Sequence, residues 1–168
     1  LENSLQFFLA DESASQSLAQ GLATQLEKAL SENRLQSGLV IYLKGNLGAG
    51  KSYLSRAFIQ HFLPDQKVKS PTYTLVESYP VDVSQRPLVI HHFDLYRLCD
   101  PEELEYLAIR DLLQGRFIAL VEWPQNGYPV LPAADMVIEL AYLEKGRHAT
   151  VQLSSLAAQM AFQGFRFP

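Results

Sequence analysis

Residues 45–52 read GNLGAGKS, three glycines followed at once by a lysine and a serine. Every fixed position of the spacing G-x-x-x-x-G-K-[ST] is met. The chemistry this suits is the binding of a nucleoside triphosphate. Gly45, Gly48 and Gly50 let the chain take left-handed or crowded conformations, so successive N–H groups can turn inward around phosphate oxygens. A helix beginning near Lys51 would add its free amides to the same anion. Lys51 would reach the β- and γ-phosphates, and Ser52 Oγ would stand ready to complete a magnesium shell. The plainer alternative is a glycine turn before a helix that happens to carry a lysine. The flanks argue against it, since the apolar run LVIYL at 39–43 reads as a strand and residues 53–62 as a helix, the surroundings that this loop requires.

Two acids close apolar runs further on: HHFD ends in Asp94 and ALVE in Glu122. Ligands of open α/β sheets bind beyond the carboxyl ends of the strands, where either acid could hold magnesium through water or orient the water that attacks a γ-phosphate. One acid after a strand is more commonly a cap or a turn residue; two beside a phosphate loop favour function for at least one. The sequence does not divide the roles between them. His91 and His92 are adjacent on a strand and point to opposite faces, which excludes a shared metal site, and neither is given a catalytic role. Trp123 could bring an indole near a nucleotide, although an aromatic there is more commonly core. Lys67, Lys69, Arg97 and Arg110 either line one side of the site or are solvated. Cys99, the lone cysteine, has neither a disulfide partner nor ligand spacing and is expected to be buried or half-buried.

These residues need a scaffold. With 168 residues, 48% of them apolar, the chain has the size of a single domain, 1–168. It contains no apolar run of membrane-spanning length and no signal-like start, so a cytoplasmic protein without membrane contact is expected. A formal charge of -4 argues against nucleic-acid binding by bulk electrostatics. Residues 5–9 read as a strand, and Asp11 or Ser13 caps a helix with Leu18, Leu22, Leu26 and Leu30 on one stripe. Residues 68–79 are expected to be extended, because Pro71 disfavours helix before it and Thr72, Tyr73, Thr74 and Val76 suit a pleated surface. Residues 88–93 form a further strand. Asp100, Pro101 and the acids after them begin a helix that Gly115 ends. The run FIALV at 117–121 suits a central strand covered on both faces. Residues 137–143 and 150–153 suggest a hairpin, and 154–162 a last short helix. The result is a three-layer α/β fold of P-loop NTPase type, with a mostly parallel sheet and an antiparallel margin.

Taken together in this order, the segments GNLGAGKS, KSPTYTLVE, HHFDLYRLCDPEELEYLAIRD and LVEWPQ resemble the TsaE (YjeE) family, bacterial ATPases needed to make threonylcarbamoyladenosine in tRNA. The likeness runs from about Asp11 to Arg147. It implies that Gly45, Gly48, Ala49, Gly50, Lys51, Ser52 and Tyr53 bind ATP, that Ser52 and Glu122 hold magnesium, that Asp94 is needed for hydrolysis, and that Thr72 senses the γ-phosphate in a switch loop. By the same resemblance, Glu12 and Arg147 contact the nucleotide. Asn46 and Tyr53 depart from the usual family pattern, and neither removes a phosphate or magnesium ligand. The implied partners are the TsaB and TsaD proteins, with TsaC upstream as the source of the adenylate that TsaD transfers, and tRNA reached through that complex. Hydrolysis would reset the assembly between turnovers.

Three other classes share the phosphate loop. A small-molecule kinase should add an arginine-rich lid, and no compact cluster of that kind occurs. A GTPase should carry an Asn-Lys-x-Asp-like signature and a glycine three residues after Asp94, and both are missing. A nucleotide sensor that binds without turnover is the nearest rival, against which Asp94 and Glu122 together argue for hydrolysis.

Overall fold

The computed structural model describes residues 3–166. Its strands are β1 (Ser4–Leu9), β2 (Leu39–Lys44), β3 (Val76–Val83), β4 (Arg86–Asp94), β5 (Phe117–Glu122), β6 (Met136–Tyr142) and β7 (Arg147–Leu153). They form one seven-stranded sheet in the order β1-β7-β6-β2-β5-β4-β3. The inner strands β6, β2, β5 and β4 run parallel. Antiparallel pairs lie on both sides of them, β6–β7–β1 on one and β4–β3 on the other, so the expected α/β sheet has two antiparallel margins instead of one. Every residue of β5 is buried, as its unbroken apolar run requires when both faces are covered.

Helix α1 (Glu12–Ser31) starts at Asp11, whose Oδ1 accepts the Ala14 N–H at 2.9 Å. Its leucine stripe, Leu18, Leu22, Leu26 and Leu30, is buried with α2 (Lys51–Phe62) against Leu39, Ile41, Leu43, Ile90 and Leu120 of the sheet. Each such leucine contributes about 1.5–3 kcal/mol relative to an exposed one. The last helix, α5 (Leu156–Ala161), closes the same side and is capped by Ser155. The third layer is thinner. Phe93, Phe117, Ala119 and Val121 face Leu95, Leu98, Leu104, Ile109 and Leu131, most of which lie in loops or in two one-turn helices, α3 (Glu103–Tyr106) and α4 (Ile109–Leu112).

Those two turns replace the single helix expected between Asp100 and Gly115. Leu104 and Ile109 are both buried, yet five residues along a continuous helix would set them about 140° apart. The chain breaks at Ala108, which takes a left-handed φ of 53°, and both side chains then reach the core. The expected extended segment 68–79 is also corrected. Strand β3 begins only at Val76, and the residues before it form a loop in which Leu75 has a φ of 68° and donates its N–H to Pro71 O at 2.9 Å. Strands β3 and β4 make a hairpin turned at Ser84 and Gln85, both with positive φ. Cys99, expected to be at least half-buried, is exposed. Among the described residues no helix is long and apolar enough to cross a membrane.

Candidate nucleotide site

The loop between β2 and α2 owes its place to strand register. Leu43, next to last on β2, pairs with Glu122 at the end of β5, and Glu122 pairs with Asp94 at the end of β4. The phosphate-type loop and both acids therefore emerge side by side at the carboxyl edge of the parallel strands. Gly45 has a φ of 151°, and a Cβ there would lie 2.6 Å from the Leu140 carbonyl oxygen. Gly48, with a φ of 79°, would place a Cβ 2.6 Å from the Tyr142 hydroxyl. A larger residue at Gly45 would push the loop off the β6 backbone, whereas at Gly48 the positive φ is the stricter demand.

Lys51 opens α2 and is 4% exposed. Its Nζ donates to the carbonyls of Gly45 and Asn46 and stands 4.1 Å from the centre of the Trp123 ring. Burial pushes the ammonium below its usual lysine value, an effect that the charges of Glu122 and Asp94 partly oppose. Among the described residues the cation is thus held over the loop by two neutral carbonyls and an aromatic face, without a direct carboxylate partner. Trp123, half-buried, also meets Tyr96 at 5.0 Å between ring centres, so the indole belongs to the site and not to the core alone.

Both carboxylates are tethered. Glu122 is 2% exposed; its Oε1 accepts the Ser52 hydroxyl at 2.9 Å and its Oε2 lies 2.6 Å from His92 Nε2. Asp94 is 8% exposed, with Oδ2 accepting from Ser70 Oγ at 3.0 Å and Oδ1 from the Tyr96 N–H at 3.1 Å. Thr72 Oγ1 donates to Ser70 Oγ at 3.4 Å, which links the loop before β3 to Asp94. A hollow of about 420 Å³ brings Lys51, Ser52, Thr72, Asp94, Glu122 and Trp123 together, with Gly48, Gly50 and Tyr53 on its rim.

Across the loop a second hollow of about 280 Å³ is lined by Asp11, Glu12, Ala49 and Arg147, and again by Gly48, Gly50 and Tyr53. The shared residues make the two hollows neighbours over one glycine loop. Arg147 donates from Nε to Ala49 O at 3.3 Å and lies 4.2 Å over the Tyr142 ring, bracing the loop from the β7 side. Gly45 lines neither hollow and instead turns the chain behind them.

Of the four scattered basic residues, Arg97 lines the larger hollow and stacks on Tyr73 at 5.0 Å. Arg110 pairs with Glu105 in an exposed contact, and Lys67 and Lys69 are exposed. Sequence reasoning missed Ser70 and gave His92 no role. A serine before a proline carries no distinctive signal. For His92 the signal was its place two residues before Asp94, since i and i+2 on a strand share a face.

Magnesium takes hard oxygen donors and is commonly bound by one or two carboxylates together with substrate phosphates and water. Ser52 Oγ and Glu122 Oε1 supply such a pair next to the loop. Among the described residues no group of three or more His, Cys, Asp or Glu could hold a metal. The donors present fit the ion.

The family model described as "Threonylcarbamoyl adenosine biosynthesis protein TsaE" matches residues 9–150. The chain belongs to the TsaE family. Among its relatives, a TsaE of Haemophilus influenzae, called a tRNA threonylcarbamoyladenosine biosynthesis protein, is 44% identical over 113 residues, 67% of this chain and 69% of that protein. The TsaE of Synechocystis is 36% identical over 136 residues, 79% of this chain and 77% of its own length. A crystal structure of YdiB from Bacillus subtilis superposes with a TM-score of 0.66, covering 96% of this chain and 93% of that one at 21% identity. That likeness supports the fold alone. The matched span begins at the end of β1 and takes in both hollows' walls up to Arg147, so the TsaE likeness covers the whole candidate site.

Proposed function

We propose that this chain is a magnesium-dependent ATPase of tRNA threonylcarbamoyladenosine biosynthesis, working as a single cytoplasmic unit on the TsaB–TsaD complex, with TsaC supplying the upstream adenylate. The observation that carries the reading is the hydrogen-bonded pair Ser52–Glu122 under the glycine loop, with Asp94 as its strand neighbour. Membership of the family supports the pathway, and the two adjoining hollows suit a triphosphate on one side of the loop and a nucleoside on the other.

In this reading Lys51 exchanges its two loop carbonyls for phosphate oxygens. The exchange is favourable because phosphate oxygens carry full negative charge, which attracts an ammonium more strongly than a carbonyl dipole does. The loop amides cradle the phosphates. Ser52 and Glu122 would hold magnesium, which when bound would neutralise the charge that develops on the phosphates. Asp94, fixed by Ser70 and the Tyr96 amide, presents a carboxylate that orients the attacking water and takes up its proton. Thr72 reports on the γ-phosphate through Ser70, to which it is already hydrogen-bonded. Glu12, Ala49, Tyr53 and Arg147 receive the nucleoside. A contact to tRNA passes through the partner complex.

The test is phosphate release by the purified chain, alone and with TsaB and TsaD. Turnover that depends on magnesium and rises with the partners is expected. Tight ATP binding with no release under either condition would replace the ATPase by a nucleotide sensor.

A further inference from the structure

His92 lies on β4 opposite Leu120 in register, two residues below the level of Asp94 and Glu122. It is 1% exposed, and its Nε2 is 2.6 Å from Glu122 Oε2. Among the described residues its Nδ1 has no hydrogen-bond partner. One tautomer satisfies this arrangement best: the proton sits on Nε2 and is donated to the carboxylate, and Nδ1 is left as a bare acceptor without a stranded N–H. The ring therefore spends its one directed bond on Glu122.

That bond decides which way the carboxylate faces. Glu122 is itself 2% exposed, so water does not compete for its oxygens. With Oε2 tied to His92, Oε1 is turned to Ser52 Oγ at 2.9 Å. Without the imidazole, Oε2 would be a buried acceptor lacking its partner, and the side chain would gain by rotating toward another donor. Lys51 lines the same hollow, and its ammonium attracts the Glu122 charge. Such a rotation would pair the acid with the phosphate-binding cation and take it away from Ser52.

We infer that His92 is a positioning residue which, through its Nε2–H bond to Glu122, keeps one carboxylate oxygen turned toward Ser52 for magnesium and keeps Glu122 from collapsing onto Lys51. The inference rests on the assignment of Ser52 and Glu122 to magnesium. It concerns which atom does the positioning, and that makes it separable from a general packing role.

The test uses the full chain and compares the affinity for a non-hydrolysable ATP analogue by calorimetry, with magnesium chloride and with chelator, in wild type and in His92→Gln, His92→Asn and His92→Leu. A glutamine amide reaches as far as imidazole Nε2, whereas an asparagine amide reaches only as far as Nδ1. Wild type and His92→Gln should keep the gain in affinity that magnesium gives. His92→Asn and His92→Leu should lose about 10–100-fold of it, the usual effect of removing the partner of a metal ligand, and should also bind the analogue more weakly in chelator, because Glu122 then competes with the phosphates for Lys51. Should His92→Leu fail to fold, the contrast between Gln and Asn decides alone. Full magnesium gain in His92→Asn, or equal loss in His92→Gln and His92→Asn, would overturn the inference while leaving the ATPase reading in place. A wild type that gains nothing from magnesium would overturn both.

Discussion

Replacing Lys51 by methionine removes a charge from a nearly closed site, and its effects on the free and the nucleotide-bound protein should differ sharply. In the free protein the ammonium makes two charge-assisted bonds to loop carbonyls, each contributing about 1.5–3 kcal/mol, and lies over Trp123, an interaction of roughly 2 kcal/mol where water is excluded. Against these stands the cost of holding a cation at 4% exposure, several kcal/mol per ion after relaxation. The terms nearly cancel, and methionine fills a similar volume, so the melting temperature without nucleotide should move by only about 3 °C in either direction, the equivalent of about 1 kcal/mol in a chain of this size. With Mg-ATP at about a hundred times its dissociation constant, the wild type gains about 2.7 kcal/mol, or roughly 5–11 °C. Lys51→Met should lose nearly all of that rise. The assay is a thermal melt of both proteins with and without Mg-ATP. A variant that keeps more than half of the nucleotide-induced shift would refute the role given to Lys51; one that melts far lower without nucleotide would refute the balance of its burial.

Other expectations follow from the same geometry. Glu122→Ala should weaken ATP binding in magnesium far more than in chelator, whereas Asp94→Ala should slow phosphate release about 10²–10⁴-fold with a smaller change in affinity; equal effects of the two in titration and turnover would show the roles to be wrongly divided. Because Lys51 sits 4.1 Å from the Trp123 ring, ATP should change the intrinsic fluorescence as the cation leaves the indole, and ADP should change it differently through the Thr72 loop. Identical spectra with calorimetrically confirmed binding would dissociate the indole from the phosphates. His91, 4% exposed, has its imidazole pushed below the usual 6.5 by burial, although a bond to the Leu112 backbone works the other way. The unfolded chain then binds a proton that the folded chain refuses, so this contribution to stability is full above 6.5 and is lost as the pH falls below it. His91→Gln should flatten that slope in urea midpoints measured on either side of 6.5, and an unchanged slope would assign the acid sensitivity elsewhere.

The phosphate loop, both acids and the central strand were legible because each rests on a local rule: glycine spacing, a carboxylate closing an apolar run, an unbroken buried stretch. Long-range pairing was harder to read. The hairpin joining β3 and β4 turns on Ser84 and Gln85, which lack the Asn-Gly or Asp-Gly signature that announces such turns. The break at Ala108 serves tertiary packing of Leu104 and Ile109 and has no glycine or proline to betray it. His92 appeared as one member of an adjacent pair whose faces could be assigned, but its bond to Glu122 requires β4 and β5 to be neighbours in a known register, information held by neither strand alone. Glu12 and Arg147 followed from the family likeness; their meeting across the loop depends on β1 pairing with β7.

That last pairing sets an order of assembly. The glycine loop and its helix lie in the first half of the chain, and Asp94 and Glu122 follow. Leu9, at the wall of the smaller hollow, pairs with Arg147, and Ser4 with Gln152, so the first strand must wait for the last. On the ribosome, where the chain grows from its N-terminus, every residue lining the larger hollow is made before Gly146 and Arg147, which wall the smaller one. A chain ended at β6 would lack Gly146 and Arg147 and with them one wall of the smaller hollow. The smaller hollow thus takes shape only once β7 has paired with β1, two elements far apart along the sequence.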